Sequence, residues 1–387
     1  MMRRMKAWTA ALLPALLLAG CWDMKDVQEI GYVTALGFDH RDGQFAVYVQ
    51  LLDFSAVAKK ETAQRGGSPV WVGIGRGETI AAAINELYKT VQMPLFFGHV
   101  GSLMIGERLL KKPDLMMQLY EFKARNYELR YTSWIYGTRE PIDKLFSLTS
   151  LYEQPPVMSI LHQPRETFKQ SSAVRPITMR EFDIRINEVG RTALLPCLAI
   201  SDDEWMRGGK TKLMAEIQGA FAVDKKGLAL WLPDEDLTGL PWIEPESYNT
   251  LLEMEWSDSK TITLQLDKPK VRIVPAVRNG RAEYSVFVHL YANIFVDTTY
   301  IPENGIERHA AEKVRGEIEK LYKLSLKHNL DLLGLEESLY RMRNREWKML
   351  KERDALRLTE DSLREINVTV HIIRSGKIKE RIMMENK

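Results

Sequence analysis

The chain has 387 residues, 45% of them apolar and 27% charged, with a formal net charge of +2. That balance belongs to a folded chain with a substantial core and room for two or three domains, and it excludes a disordered polypeptide. A near-neutral charge with interspersed signs gives no electrostatic reason to bind nucleic acid.

Three basic residues, Arg3, Arg4 and Lys6, open the chain, and an apolar run follows over Ala7–Leu18. Leu18-Ala19-Gly20-Cys21 comes next. A basic start, a short apolar stretch and small residues before a cut define an export signal, here residues 1–20. The apolar run is shorter than the roughly 20 residues needed to span a bilayer. A cysteine directly after the small residues predicts a lipobox. The Cys21 thiol receives diacylglycerol, and the mature chain begins there, held to a membrane by lipid. Loss of Arg3, Arg4 and Lys6 lowers the formal charge of +2 by three units, to −1. Trp22, next to the anchor, suits the membrane interface. No later segment is long and apolar enough to cross a membrane, so everything after Cys21 is expected outside the cytoplasm.

Strand-like runs at Tyr32–Phe38 and Phe45–Leu52 flank Asp42-Gly43 and predict a β-hairpin. Ala56–Pro69 is polar and reads as a loop, and Gly73-Ile74-Gly75-Arg76-Gly77 as a turn before a helix at Thr79–Val91. No Gly-Lys-Ser/Thr follows those glycines, so they do not form a P-loop. Further predicted elements are a strand at Ser102–Ile105, a helix at Pro113–Phe122, a strand at Tyr131–Tyr136 and a helix at Pro141–Leu148. Prolines punctuate residues 150–180. Phe182–Asn187 and Ala193–Ile200 alternate as strands. Asp202–Lys210 is a polar boundary. Beyond it lie predicted strands at Ala215–Val223, Leu228–Leu232, Thr261–Leu266, Lys270–Val277 and Ala282–Val296. A long helix spans Ile306–His328, a second follows Gly334, and Asn367–Arg374 is a last strand.

This order predicts an α+β fold, of mostly antiparallel sheets with packed helices. Its divisions are an N-terminal mixed α/β domain at 21–150, a middle domain or connector at 151–208, and a C-terminal α/β domain at 209–387.

The chemistry-bearing residues are sparse. Cys197 lies in an apolar run and reads as a small buried hydrophobe. Seven scattered histidines, at 40, 99, 162, 289, 309, 328 and 371, give no ligand spacing, so neither a metal nor another cofactor is expected. No Gly-x-Ser-x-Gly elbow offers a nucleophile, and no enzymatic activity is expected. Asp202-Asp203-Glu204 and Asp234-Glu235-Asp236 read as solvated loops. Arg125-Asn126-Tyr127-Glu128-Leu129-Arg130 is denser. Arg125, Glu128 and Arg130 form either an ion-pair network at a helix–strand junction or a polar contact to a partner.

In their order, these motifs resemble the C-subunit lipoproteins of bacterial spore germinant receptors, the GerAC-like or Ger(x)C family. Cys21-Trp22-Asp23 with Gly37-Phe38-Asp39 looks like that family's mature start. Arg76-Gly77-Glu78-Thr79-Ile80, Phe97-Gly98-His99 and Ile105-Gly106-Glu107 are similar to its next landmarks. Arg125–Arg130 resembles its Arg-Asp-x-Glu-x-Arg segment, with Asn126 where aspartate is usual. Gly219-Ala220-Phe221, Gly239-Leu240-Pro241-Trp242, Asp331-Leu332-Leu333-Gly334 and Trp347 match landmarks further on. The resemblance implies three mixed α/β domains without enzymatic activity. It implies a lipid-anchored subunit on the outer face of the spore inner membrane, complexed with two integral-membrane subunits of the A and B types. Such receptors respond to small nutrients, which the membrane subunits mainly recognise. A different class remains open, a lipoprotein that binds solute for a transporter. It requires two lobes of similar size with crossovers between them.

Overall fold

The computed structural model describes residues 29–52, 70–224, 227, 229–257, 260–297 and 301–374. The loop predicted at Ala56–Pro69, like Cys21 and Trp22, lies outside them.

The first strands, β1 (Gly31–Arg41) and β2 (Gln44–Leu52), pair antiparallel around Asp42 and Gly43. Both turn residues take positive φ, 50° and 79°, the two-residue hairpin turn whose twist suits antiparallel strands. Strand β3 (Val70–Gly77) joins the outer edge of β2. The glycines predicted as a turn are therefore strand residues. They lie under helix α1 (Ile80–Tyr88), where a β-carbon on Gly75 would strike the Ala83 carbonyl oxygen and one on Gly77 the Ala83 nitrogen. Small residues here let the helix backbone lie on the strand. Thr79 caps α1, accepting the Ala82 N–H at 3.1 Å.

Strands β4 (Leu95–Phe96) and β5 (Ser102–Gly106), helices α2 (Glu107–Leu110) and α3 (Pro113–Arg125), strand β6 (Trp134–Thr138) and helix α4 (Ile142–Ser147) follow. Helix α5 (Pro164–Gln170) and strand β7 (Ile177–Thr178) come next. Phe182–Asn187, predicted as a strand, belongs to helix α6 (Met179–Asn187). Its start is a capping box. The Thr178 hydroxyl accepts the Glu181 N–H at 3.3 Å, and the Glu181 carboxylate accepts the Thr178 N–H at 2.8 Å. Those local bonds outweigh the alternation of Phe182, Ile184 and Ile186, of which only Phe182 is buried. Strands β8 (Ala193–Ser201), β9 (Met206–Arg207), β10 (Lys210–Thr211), β11 (Met214–Val223) and β12 (Ala229–Leu232) then complete two sheets.

The main sheet runs β12-β11-β8-β6-β5-β1-β2-β3, with β4 beside β1 and β7 beside β6. Its centre, β8, β6, β5 and β1, is parallel, and its flanks are antiparallel. Pairing crosses both boundaries predicted from proline and polarity. Strand β8, from the middle stretch, pairs with β6 before it and β11 after it. The hairpin expected to open the C-terminal domain thus finishes this sheet instead. Polar sequence at Asp202–Lys210 marks the exposed β9–β10 excursion.

Both faces of the sheet are covered. Helices α1, α3 and α6 pack Ile84, Leu119 and Phe182 on Leu36, Phe38 and Ile105. On the other face α4 brings Ile142 and Phe146 against Ala35, Tyr48 and Met104. A buried polar lock joins that face to the connector. Gln50 donates to the Phe146 carbonyl at 2.7 Å and accepts from Thr34 at 2.9 Å, and the His162 ring lies 3.1 Å from its oxygen.

The second sheet runs β13 (Thr250–Ser257), β14 (Lys260–Arg278), β15 (Arg281–Asp297), β16 (Leu363–Arg374). The predicted strands Thr261–Leu266 and Lys270–Val277 are one strand, β14, whose register shifts between Asp267 and Lys270 where Lys268 takes φ 46°. Asn279-Gly280 makes the tight turn into β15. Helix α7 (Glu303–His328) covers the sheet with Ile306, Ala310, Val314, Ile318 and Leu321, all fully buried. The helical stretch after Gly334 is two helices, α8 (Leu335–Met342) and α9 (Asn344–Glu352), interrupted at Arg343. The mixed α+β class follows from these two sheets and their helices.

Two predictions arise here. Ile318→Asp should cost several kcal/mol, because it buries an unpaired carboxylate. Glu319→Ala, on a half-exposed side chain 3.8 Å from Arg315, should stay within about 0.5 kcal/mol. Glu317, two residues earlier, differs, because it accepts the Trp242 indole N–H at 2.5 Å. Trp242 is buried, so Glu317→Ala should cost about 1–3 kcal/mol by orphaning that donor. Urea unfolding ranks the three, and a mild Ile318→Asp would refute the packing.

The second concerns pH. Burial pushes the His162 pKa down to about 4 from 6.5. The unfolded chain therefore takes up this proton first. His162 stabilises the fold fully above 6.5, and that stability drains as pH falls from 6.5 through 4, by about 3 kcal/mol. His162→Gln should lose less stability across that window than the parent. Equal losses would show that other groups control acid unfolding.

Candidate functional site

Arg125 ends α3, and Asn126 caps it with its side-chain amide donating to the Phe122 carbonyl at 2.6 Å. An aspartate could not donate to that carbonyl and would set a negative charge at the negative end of the helix. The amide at this position thus suits a helix C-terminus. Arg125 pairs with Glu121 one turn back, at 2.9 Å on the exposed face. The Glu128 carboxylate accepts the Phe97 N–H at 3.1 Å, bracing the Phe97-Gly98-His99 loop. His99 and Phe96 meet the edge of Tyr32 at 5.0 and 6.1 Å. Arg130 is exposed. Arg125, Glu128 and Arg130 therefore share a short surface segment, but among the described residues they form no ion pair with one another.

This segment borders an open apolar groove between α1 and α3, about 540 Å³ in volume. Ile84, Tyr88, Phe97, Met117 and Phe122 line it, and Arg125 stands on its rim. Tyr88 and Met117 are half exposed, and Tyr127 alongside is 94% exposed. Large apolar side chains held outward beside charged ones are the composition of a protein contact.

Elsewhere the predicted chemistry resolves into structure. Burial pushes the Cys197 thiol up to about 12, which removes it as a nucleophile. Asp234 accepts the Gly219 N–H at 2.6 Å, so it ties a bulge instead of standing in solvent. Among the described residues no three histidine, cysteine, aspartate or glutamate side chains cluster as metal ligands would.

A second feature was not visible in the sequence. A cavity of about 390 Å³ lies where α6 and the start of β8 meet β14 and α8. Its apolar wall includes Leu194, Leu240, Ile243, Val271, Ile273 and Leu332. Four arginines share it, Arg175, Arg185, Arg191 and Arg341. Arg175 holds Glu181 at 2.8 Å and Glu246 at 3.1 Å, with Glu244 at 3.9 Å. Arg191 and Arg341 share Glu337, at 3.0 and 2.7 Å. Asp331 is buried and accepts the N–H groups of Gly334 and Glu336 at 2.9 and 2.8 Å, at the start of α8. Burial outweighs those bonds and pushes its pKa up to about 6. The lining residues come from four separated stretches, 174–194, 240–245, 271–273 and 331–342, and the charged ones from all but the third. Asp331-Leu332-Leu333-Gly334 was their one trace in the sequence.

Comparison with known proteins adds the following. Residues 23–200 match the family described as spore germination protein N-terminal domain, and residues 218–376 that described as spore germination B3/GerAC-like, C-terminal. Spore germination protein KC of Bacillus subtilis (strain 168) is 23% identical over 377 residues, with 91% of each chain covered. Spore germination protein B3 of the same organism is 21% identical over 325 residues, covering 83% of this chain and 82% of its own. The crystal structure of the GerBC protein superposes with a TM-score of 0.55 over 90% of this chain and all of that one. At 15% identity that likeness concerns fold alone.

Proposed function

The chain belongs to the Ger(x)C family of spore germination proteins, and on that premise we propose that it serves germination as a non-enzymatic, lipid-anchored subunit of a nutrient receptor complex. The observation that carries the reading is that both family domains match, in order, over residues 23–200 and 218–376. The anchor is the diacylglyceryl thiol of Cys21, after Leu18-Ala19-Gly20, with Trp22 at the membrane interface. Among the described residues no helix is long and apolar enough to cross a membrane. The proposed seat is the outer face of the spore inner membrane, beside two integral-membrane subunits of the A and B types. The proposed contact is the surface around Arg125, Tyr127, Glu128 and Arg130 together with the α1–α3 groove. Exposed aromatic and arginine side chains are the types that carry binding energy at interfaces.

The solute-binding alternative asks for crossovers between lobes. Here the main sheet takes its strands from residues 31–232 and the second sheet from 250–374, so the chain passes between them once.

Two experiments test the proposal. Cys21→Ala should abolish incorporation of labelled fatty acid, since the other thiol, Cys197, is buried in β8 and follows no lipobox. Undiminished label on the variant would sink the lipid anchor. A double variant, Arg125→Glu with Tyr127→Asp, should keep its thermal transition, because both side chains are exposed. It should lose at least about tenfold in co-purification of the two membrane subunits from spores, as central contact residues do when reversed. Full recovery of both subunits would remove this surface from the interface. Failure of the unaltered chain to bring them down would remove the receptor reading itself.

A further inference from the structure

The four arginines of the cavity are not equivalent. Arg175, Arg191 and Arg341 each hold at least two carboxylates. Arg185, on α6 between them in the wall, has no ion pair and no side-chain hydrogen bond among the described residues. Its surroundings do not relieve it. Burial and then the charge of Arg191 lower its pKa, with Arg175 adding to them, and the charges of Glu244 and Glu181 oppose them without reversing the shift. The three carboxylates of the wall are committed elsewhere. Glu337 is shared by Arg191 and Arg341, Glu244 leans on Arg175, and Asp331 caps α8. A partly buried guanidinium with five donors and no acceptor is costly to keep.

From the unpaired Arg185 guanidinium and the apolar wall around it, we infer that this cavity binds a small organic anion, one carboxylate on an aliphatic body. The guanidinium fork matches a carboxylate with two parallel hydrogen bonds. Leu240, Ile243, Val271, Ile273 and Leu332 would enclose the body. The volume, about 390 Å³, is that of a small-molecule site. A single free cation calls for a single negative charge. A phosphate monoester would bring nearly two, against the nearby carboxylates of Glu244 and Glu337. The site needs neither the lipid anchor nor the partner subunits, so it stands or falls apart from the receptor reading.

The test uses the full chain in detergent, with 4-methylpentanoate as probe and inorganic phosphate as the compact-anion control. Thermal unfolding is followed as each is raised at constant ionic strength. 4-Methylpentanoate should raise Tm in proportion to the logarithm of its concentration above Kd, by about 2 °C at ten times Kd, and phosphate should not. Arg185→Met removes the charge at similar length. It should abolish that rise while leaving the ligand-free Tm unchanged or higher, since no partner is orphaned. Arg185→Lys should keep a weakened response. A matching rise with phosphate, no rise with either anion, or a rise that survives in Arg185→Met overturns the inference. So does a large fall in the ligand-free Tm of Arg185→Met, which would reveal a structural role for this cation.

Discussion

The pairing of strand β8 along both edges is the constraint on which the rest of the molecule depends. Its nine residues place side chains in all three apolar cores. Ala193, Leu195 and Cys197 belong to the core that α1, α3 and α6 cover, Leu198 to the core that α4 covers, and Leu194 to the core of the second sheet. Pro196 sits inside this strand without breaking it. The ladder to β6 is confined to Cys197 and Leu198, and β11 is bulged between Ile217 and Ala220 opposite the proline. The bulge turns the N–H of Gly219 toward the Asp234 carboxylate, and φ +73° at that position suits glycine. One proline, one glycine and one aspartate thus solve a single problem, a strand residue that cannot donate.

Where a local rule was sufficient, the fold was legible in the sequence. Asp42-Gly43 marked a hairpin because only certain residues accept positive φ at both turn positions. The stripe Ile306–Ala310–Val314–Ile318–Leu321 fixed a long helix because its spacing has one interpretation. Legibility ended where two local rules competed. At Phe182–Asn187 alternation suggested a strand, but the capping box at Thr178 and Glu181 starts a helix. At Gly73–Gly77 the glycines suggested a turn. Their cause lies in α1, whose close approach no neighbouring residue announces. The same limit hid Glu317 under Trp242, a bond between residues far apart in sequence.

The candidate sites divide along the same line. Cys21 and the Arg125–Arg130 segment are contiguous in sequence and could be picked out as motifs. The arginine-lined cavity could not, because its charges are exposed to one another only after three stretches converge. Arginine is common in any surface helix. What distinguishes Arg185 from Arg175 is the absence of an ion pair, a property of the folded arrangement alone. The assembly of this cavity also depends on β8, since Thr192, just ahead of it, accepts the backbone N–H of Asp331 at 3.0 Å.

The last strand of the second sheet carries a consequence for biogenesis. Strand β16 runs parallel to β15 and pairs with it from Tyr284–Leu363 to Asn293–Arg374, across an intervening helical excursion. Until Leu363–Arg374 has been synthesised, β15 presents an open edge, and the apolar stripe of α7 lacks part of the surface it covers. A nascent chain therefore passes through a sticky interval between completion of α7 and arrival of β16, when long-range pairing has to wait for translation. Export in an unfolded state would sidestep that interval, deferring closure of the sheet until the whole chain is present on the far side of the membrane. A premature stop anywhere before Leu363 would leave that edge permanently open and expose the product to proteases.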